Sequence, residues 1–172
     1  RRTEYEYDAN GNRTKVTTAA GTLQARSTVT TYDALNRATR IDWPDGSSQS
    51  VVFRTDGRKQ SETDPRGVTA TFGYDATGRL VSVQQSGVAA ATTYAYDQTG
   101  AKTTQTDAKN NKVAWVFDAA GRPTSRTLPD GQKESFEYDL QGQLTAHTTF
   151  GGQRITFSYD SAGRQTSRIV AA

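Results

Sequence analysis

Val68-Thr69-Ala70-Thr71-Phe72-Gly73-Tyr74-Asp75-Ala76-Thr77-Gly78-Arg79-Leu80-Val81-Ser82-Val83 decides how this chain folds. Phe72 and Tyr74 stand two apart, the period of a strand with one apolar face. Asp75-Ala76-Thr77-Gly78 then reads as a turn. Asp suits the first position of a type I turn, where its carboxylate accepts backbone N–H groups, and Gly suits the last, where φ is positive. A type I turn followed by a left-handed residue closes a hairpin with a bulge. Arg79–Val83 leaves as the second strand.

The same unit recurs along the chain. Tyr7–Gly11, Tyr32–Asn36, Phe53–Gly57, Tyr74–Gly78, Tyr96–Gly100, Phe117–Gly121, Tyr138–Gly142 and Tyr159–Gly163 each place Gly or Asn four residues after an aromatic. The aromatics are spaced by 25, 21, 21, 22, 21, 21 and 21 residues. A fixed period near 20 means one small unit copied end to end. The strand pairing of aromatics also recurs, at Tyr5/Tyr7, Tyr94/Tyr96, Trp115/Phe117, Phe136/Tyr138 and Phe157/Tyr159. Between these units lies a second turn type: Trp43-Pro44-Asp45-Gly46, Asp64-Pro65-Arg66-Gly67, Asp107-Ala108-Lys109-Asn110 and Leu128-Pro129-Asp130-Gly131. Each repeat is therefore two strands and two turns. The expected fold is all-β: a single array over 1–172 of about eight repeats, with antiparallel hairpins every ~21 residues coiled into a twisted or spiral sheet. Two longer connections are expected near Ala19–Ala25 and Ser86–Ala91.

Composition agrees with a thin sheet. Six Leu, three Ile, eleven Val and six Phe make 26 of 172 residues, too few for a thick core. A ribbon of about sixteen strands closed on itself, with strands tilted ~40°, would have a backbone diameter of only ~30 Å. A 100-residue domain needs ~34 Å, so this length can be part of a wall around a protein and cannot enclose one alone. With no Cys there is no disulfide and no thiol chemistry. With no Met, residue 1 reads as an internal position of something longer. No apolar run approaches ~20 residues, which argues against a membrane span, and no signal peptide is visible. The net charge of +3 comes from scattered basic residues without the clustering that nucleic acid demands.

Tyr74-Asp75-Ala76-Thr77-Gly78-Arg79 and Tyr159-Asp160-Ser161-Ala162-Gly163-Arg164 are complete Tyr-Asp-x-x-Gly-Arg motifs, and Tyr7–Arg13 is a near variant. With the ~21-residue spacing, the chain closely resembles the YD repeats of Rhs (rearrangement hotspot) proteins over essentially its whole length. That resemblance implies a segment of a β-shell that winds around a C-terminal toxin or effector domain of a secreted bacterial polymorphic toxin. It also implies, as partners, further repeats and that toxin domain in a parent protein, and a secreted or cell-surface location reached through the parent. Departures fall at turn positions: Arg54 stands in an Asp slot, and Asn12, Ala101 and Gln143 stand in Arg slots. Asp64-Pro65-Arg66-Gly67 is followed by Val68, so it does not match the family's Asp-Pro-x-Gly-Leu cleavage motif.

The residues expected to carry the structure are Asp8, Gly11, Asp33, Asn36, Gly57, Asp75, Gly78, Asp97, Gly100, Asp118, Gly121, Asp139, Gly142, Asp160 and Gly163. The row of turn carboxylates is read as capping, because each loop offers one acid and calcium needs six to eight oxygens. Arg37, Arg58, Arg79, Arg122 and Arg164 form a ladder of ion pairs worth little individually. His147, the only histidine, is read as a surface residue. No catalytic residue, cofactor or metal is expected. The alternative is a cell-surface glycan-binding or adhesion module using Trp43 or Trp115. Unpaired edge strands predict self-association of an isolated array.

Overall fold

Alternation of small β-favouring residues with aromatics, punctuated every ten residues by Asp/Gly turns, gives strands and nothing else. In a computed structural model the described residues are 2–171, and no helix occurs among them. The chain divides into two compact units, Arg1–Ala89 and Ala90–Ala172. The first unit contains β1 (Thr3–Tyr7), β2 (Arg13–Thr18), β3 (Arg26–Tyr32), β4 (Ala38–Asp42), β5 (Ser48–Phe53), β6 (Lys59–Thr63), β7 (Thr69–Tyr74) and β8 (Leu80–Gln85). The second contains β9 (Thr92–Tyr96), β10 (Lys102–Thr106), β11 (Lys112–Phe117), β12 (Pro123–Thr127), β13 (Lys133–Tyr138), β14 (Leu144–Thr148), β15 (Arg154–Tyr159) and β16 (Gln165–Val170). Within each unit every strand pairs antiparallel with the next in sequence, so each is an eight-stranded meander.

Every hairpin closed by an aromatic-x-x-x-Gly/Asn stretch carries a bulge at its turn end. In the β7–β8 pair the register runs Phe72↔Val83 and Gly73↔Ser82, then jumps to Tyr74↔Leu80. The same jump occurs at Tyr7, Tyr32, Phe53, Phe117, Tyr138 and Tyr159. The inserted residue raises the local twist and re-aims the chain.

Period-two alternation then sorts the two faces. In the second unit one face takes Trp115, Phe136 and Phe157 opposite Arg126, His147 and Arg168. The other takes Ser125, Ser135, Ala146 and Thr156, opposite one another across neighbouring strands. The first unit repeats the arrangement: Tyr5 lies opposite Val16 and Phe72 opposite Val83, while Thr17 faces Ser27 and Thr63 faces Thr69 across the back. Hydroxyl pairs on that polar face bond directly, at 2.9 Å for both Thr17–Ser27 and Thr63–Thr69.

A single layer buries little. Among the described residues no large side chain is fully enclosed; Ala20, Ala146 and Ile155 are the buried apolar residues, and Ser125 and Glu134 the buried polar ones. The aromatic row is half-buried along most of its length, and Tyr5 and Tyr7 are 52% and 60% exposed. A buried aromatic stripe would need a second layer over it, and within either unit each strand has only its in-sheet neighbours.

Candidate functional site: the inter-repeat clamp

The local unit is a five-residue loop with two backbone bonds. The fourth residue's N–H donates to the first residue's carbonyl at 2.9–3.2 Å in all eight aromatic-led turns: Gly11, Asn36, Gly57, Gly78, Gly100, Gly121, Gly142 and Gly163 are the donors. The first residue's N–H donates to the fifth residue's carbonyl at 2.8–3.0 Å. The fourth position is left-handed, with φ of 85° at Gly78 and 60° at Asn36. Asn is one of the few side-chain-bearing residues that tolerate this region.

The Asp carboxylates complete each loop. Asp75 Oδ1 accepts the backbone N–H groups of Thr77 and Arg79, both at 2.9 Å, while Oδ2 accepts Arg79 Nε at 2.7 Å. Asp33, Asp118 and Asp160 do the same with Arg37, Arg122 and Arg164. Asp8 uses Asn12, and Asp97 uses Thr99 and the Ala101 N–H. At Asp139 the Gln143 N–H is bound at 2.8 Å. The Arg79 N–H and guanidinium hold the Asp75 carboxyl far below the usual carboxylate range, and the corresponding arginines depress Asp33, Asp118 and Asp160. Side-chain donors lower Asp8 and Asp97 in the same direction. These are hydrogen bonds to the charged form, the ordinary reason for a depressed carboxyl.

Arg54 in an Asp slot does not break the pattern. The carboxylate comes from two residues later: Asp56 Oδ1 accepts the Arg58 N–H at 3.0 Å, and Oδ2 lies 3.0 Å from Arg58 Nη1 and 3.3 Å from Arg54 Nε. The second turn type shares the geometry, with Gly46, Gly67, Asn110 and Gly131 donating to Trp43, Asp64, Asp107 and Leu128. A fifth such turn, Thr149-Phe150-Gly151-Gly152, closes the same way, with Thr149 Oγ1 taking the place of a carboxylate. Its double glycine was the available sequence signal.

What joins one repeat to the next lies at the fifth position. The Arg37 guanidinium sits 4.1 Å from the ring centre of Phe53, that of Arg58 5.7 Å from Tyr74, and that of Arg122 4.6 Å from Tyr138. Each is the aromatic of the following repeat. The same guanidinium reaches over the following turn's glycine. A Cβ built on Gly78 would run into Arg58, and on Gly142 it would lie 3.3 Å from Arg122 Nη1. Arg122 Nη1 also donates to the Asp139 carbonyl at 3.4 Å. Asn12 reaches the same place with its amide, donating to Asn36 Oδ1 at 2.8 Å. Glycine there has two physical reasons: the left-handed backbone and a cation lying on top of it.

At three junctions the following aromatic, a tyrosine, answers in the opposite direction. Tyr32 Oη donates to the Arg13 carbonyl at 3.1 Å, Tyr138 Oη to Pro123 at 2.9 Å and Tyr159 Oη to Leu144 at 2.9 Å. Within each unit, then, consecutive repeats are joined by strand pairing, to which several junctions add a forward-reaching cation or amide, a backward-reaching phenol, or both.

His147 departs from the surface expectation. Its ring stacks on Phe136 with centroids 4.8 Å apart and planes at 6°, and Nε2 lies 3.2 Å from Glu134 Oε2. Glu134 is one of the few buried polar residues, and Arg126 Nε lies 2.7 Å from its Oε1, off the line of a hydrogen bond. His147 is drawn in because it directly faces Phe136 across the β13–β14 pair, on the aromatic face. Trp115 is covered on that face by Lys102, whose Nζ is 4.7 Å from the ring centre. Trp43 sits in the β4–β5 turn, beside an open cavity.

No curated protein sequence matches this chain significantly. Among solved structures it resembles a crystal structure of TcdB2-TccC3-Cdc42, at 16% identity and a TM-score of 0.39 over 98% of this chain and 13% of that one. It also resembles the Tc holotoxin pore of Photorhabdus luminescens, at 16% identity and a TM-score of 0.38 over 98% of this chain and 14% of that one. A porin-like protein from Bacteroides uniformis aligns at 13% identity and a TM-score of 0.41, over 98% of this chain and 87% of that one. The chain thus spans less than a sixth of the length of the two toxin structures. The RHS Repeat family pattern matches residues 1–23, 55–89 and 117–154, more than half of the sequence, and the chain belongs to that family.

Proposed function

We propose that this chain is a scaffold: a stretch of Rhs-repeat wall that, within a longer protein, sequesters a toxin or effector domain of a secreted bacterial polymorphic toxin. In this reading residues 1–172 act as one repeat array, its partners are further repeats and the enclosed domain, and its mechanism is steric. The observation that carries the reading is the clamp. Aspartate, arginine, aromatic and glycine are all engaged in joining one repeat to the next. Family membership supports the enclosing role. A sheet with bonded strands and a polar hydroxyl face is a continuous barrier to a protease.

The reading is tested on the longer parent protein. Limited proteolysis should leave its C-terminal segment intact while the same segment, expressed free, is digested. Equal digestion of the two would end the encapsulation reading. The isolated array should also self-associate, since β1 and β16 each have only one strand neighbour and β16 exposes Ile169 at 61%. A strictly monomeric sedimentation profile at high concentration would contradict that.

A further inference from the structure

The clamp is left half-made at β1 and at β16, the strands with one neighbour each, and the two halves match. The pairs β2–β3, β4–β5, β6–β7, β10–β11, β12–β13 and β14–β15 share one register. In each, the residue eight after one marker aromatic lies opposite the residue three before the next: Arg40 opposite Ser50, Ser125 opposite Ser135, Ala146 opposite Thr156. The clamp keeps the same count. A guanidinium five after one aromatic stacks on the next, and a tyrosine there donates to the carbonyl six after the first. At β16, Arg164 stands five after Tyr159 and binds Asp160 Oδ2 at 2.8 Å, with no ring beneath it among the described residues. Its side chain is 82% exposed, against 28%, 41% and 32% for Arg37, Arg58 and Arg122, which do cover a ring. At β1, Tyr7 is 60% exposed and its hydroxyl has no hydrogen-bond partner among the described residues. Nothing lies within 4 Å of a Cβ placed on Gly11.

We infer that β16 of one copy of this chain docks β1 of a second copy, head to tail, in the register that the internal pairs share. The count sets Ser167 opposite Glu4 of the second copy. It lays Arg164 on the Tyr7 ring and over Gly11, and brings the Tyr7 hydroxyl to the Gln165 carbonyl. The two edges differ, so the contact is heterologous, and each added copy presents a fresh β16. Symmetric pairing is poorer. β1 against β1 brings together Glu4 and Glu6 of both copies, like charges on facing strands, and supplies rings without a guanidinium to cover them. β16 against β16 supplies guanidinium groups without the Tyr7 ring. The inference rests on the edge association expected of an isolated wall segment; it adds which edge meets which, and in what register.

The chain has no cysteine, so single cysteine variants report the contact directly. Under mild oxidation, Glu4→Cys mixed with Ser167→Cys should give a cross-linked heterodimer, and neither variant alone should link to itself. Thr3→Cys mixed with Ser167→Cys should not link, because a one-residue step puts the side chain on the other face of the sheet. In sedimentation velocity the unmodified chain should grow past the dimer as its concentration rises. Arg164→Ala should weaken association about two- to fivefold, the worth of one cation–π contact. Tyr7→Leu should weaken it about tenfold, since ring and hydroxyl are both lost. The two changes in one chain should cost no more than Tyr7→Leu alone, because the guanidinium then has no ring to cover. Self-linking of Glu4→Cys or Ser167→Cys at the rate of the mixture would overturn the head-to-tail contact and leave edge association standing. Equal linking through Thr3→Cys would overturn the register, and with it the inference. A strictly monomeric profile would overturn both the inference and the edge association beneath it; encapsulation stands or falls separately, on proteolysis of the parent.

Discussion

Two junctions in the second unit differ at the fifth turn position. Arg122 binds its own Asp118, stacks on Tyr138 at 4.6 Å and lies over Gly142. One repeat earlier, Ala101 stands in the same slot, with Asp97 as its turn acid and Phe117 and Gly121 ahead of it. There nothing lies within 4 Å of a Cβ placed on Gly121. Backbone loop and strand pairing are the same at both junctions. The cation is instead displaced by one residue: Lys102 covers Trp115 and donates to Gln105 at 3.0 Å. The turn code alone is therefore enough to close a hairpin, while the fifth residue decides how firmly that hairpin grips the next. Phe117 also lacks the hydroxyl with which Tyr138 reaches back to Pro123.

Acid is the broadest way to break the comparison, because it acts on both classes of junction. The turn carboxyls are depressed from an ordinary value near 3.8, Asp75 most strongly, with Asp118 and Asp97 shifted the same way. A carboxyl lowered in the folded state contributes stability that is fully present above its unfolded value and is lost as pH falls through its folded one. Melting temperature should thus stay flat from pH 7 to about 5, then fall continuously below pH 4 and on past 2. Asp75→Asn and Asp118→Asn should each lower stability at pH 7 and flatten the acid limb. A melting temperature that does not change down to pH 2 would show that the carboxylates contribute nothing to the fold.

Glycine substitution separates the two junctions directly. Gly121→Ala carries only the left-handed backbone cost, about 1–2 kcal/mol. Gly142→Ala adds displacement of the Arg122 guanidinium, and Gly78→Ala adds a collision with Arg58. Melting temperatures should order wild type, Gly121→Ala, Gly142→Ala and Gly78→Ala from highest to lowest. Roughly 2–4 °C accompanies each kcal/mol in a chain of this size. In the Arg122→Ala background, the extra cost of Gly142→Ala over Gly121→Ala should vanish. A double-mutant cycle with no coupling between positions 122 and 142 would sink the clamp.

Arg122→Ala itself removes from the firm junction the cation that the bare one lacks. The loss combines an exposed cation–π contact, about 0.5–1 kcal/mol, with a partly exposed ion pair of similar or smaller worth. Arg122→Lys should recover less than half. A lysine is a point charge without the planar fork that binds Asp118 and lies flat on Tyr138 at once.

Strand order, hairpin spacing and the aspartate–glycine turns were legible in the sequence because they are local. Tyr74, Asp75 and Gly78 fall within five residues, and backbone sterics nearly dictate what those residue types do there. The clamp was not, because Arg122 and Tyr138 are sixteen residues apart and meet only once β12 and β13 are paired. Asp56 was overlooked for the opposite reason: it sits inside the turn, but two positions after the place the repeat reserves for acid. His147 shows the limit of reading residues singly. Nothing near it in the chain marks it as half-buried; its neighbours Phe136 and Glu134 arrive from the strand before.

The smallest effect runs in the stabilising direction. Gln143 already occupies the clamp position, with Nε2 3.0 Å from a Cβ placed on Gly163, and Tyr159 already reaches back to Leu144. What this junction lacks is charge. Gln143→Arg supplies a guanidinium of the length that Arg122 uses one repeat earlier, with Asp139 behind it and the Tyr159 ring ahead. The gain should be about 0.5 kcal/mol, a rise of ~1–2 °C in melting temperature. It should disappear in Tyr159→Leu, where no ring is left to stack upon, and shrink in Asp139→Asn. A rise that persists in Tyr159→Leu would mean that the arginine acts through net charge on an exposed surface, and that the following aromatic takes no part in gripping the repeat before it.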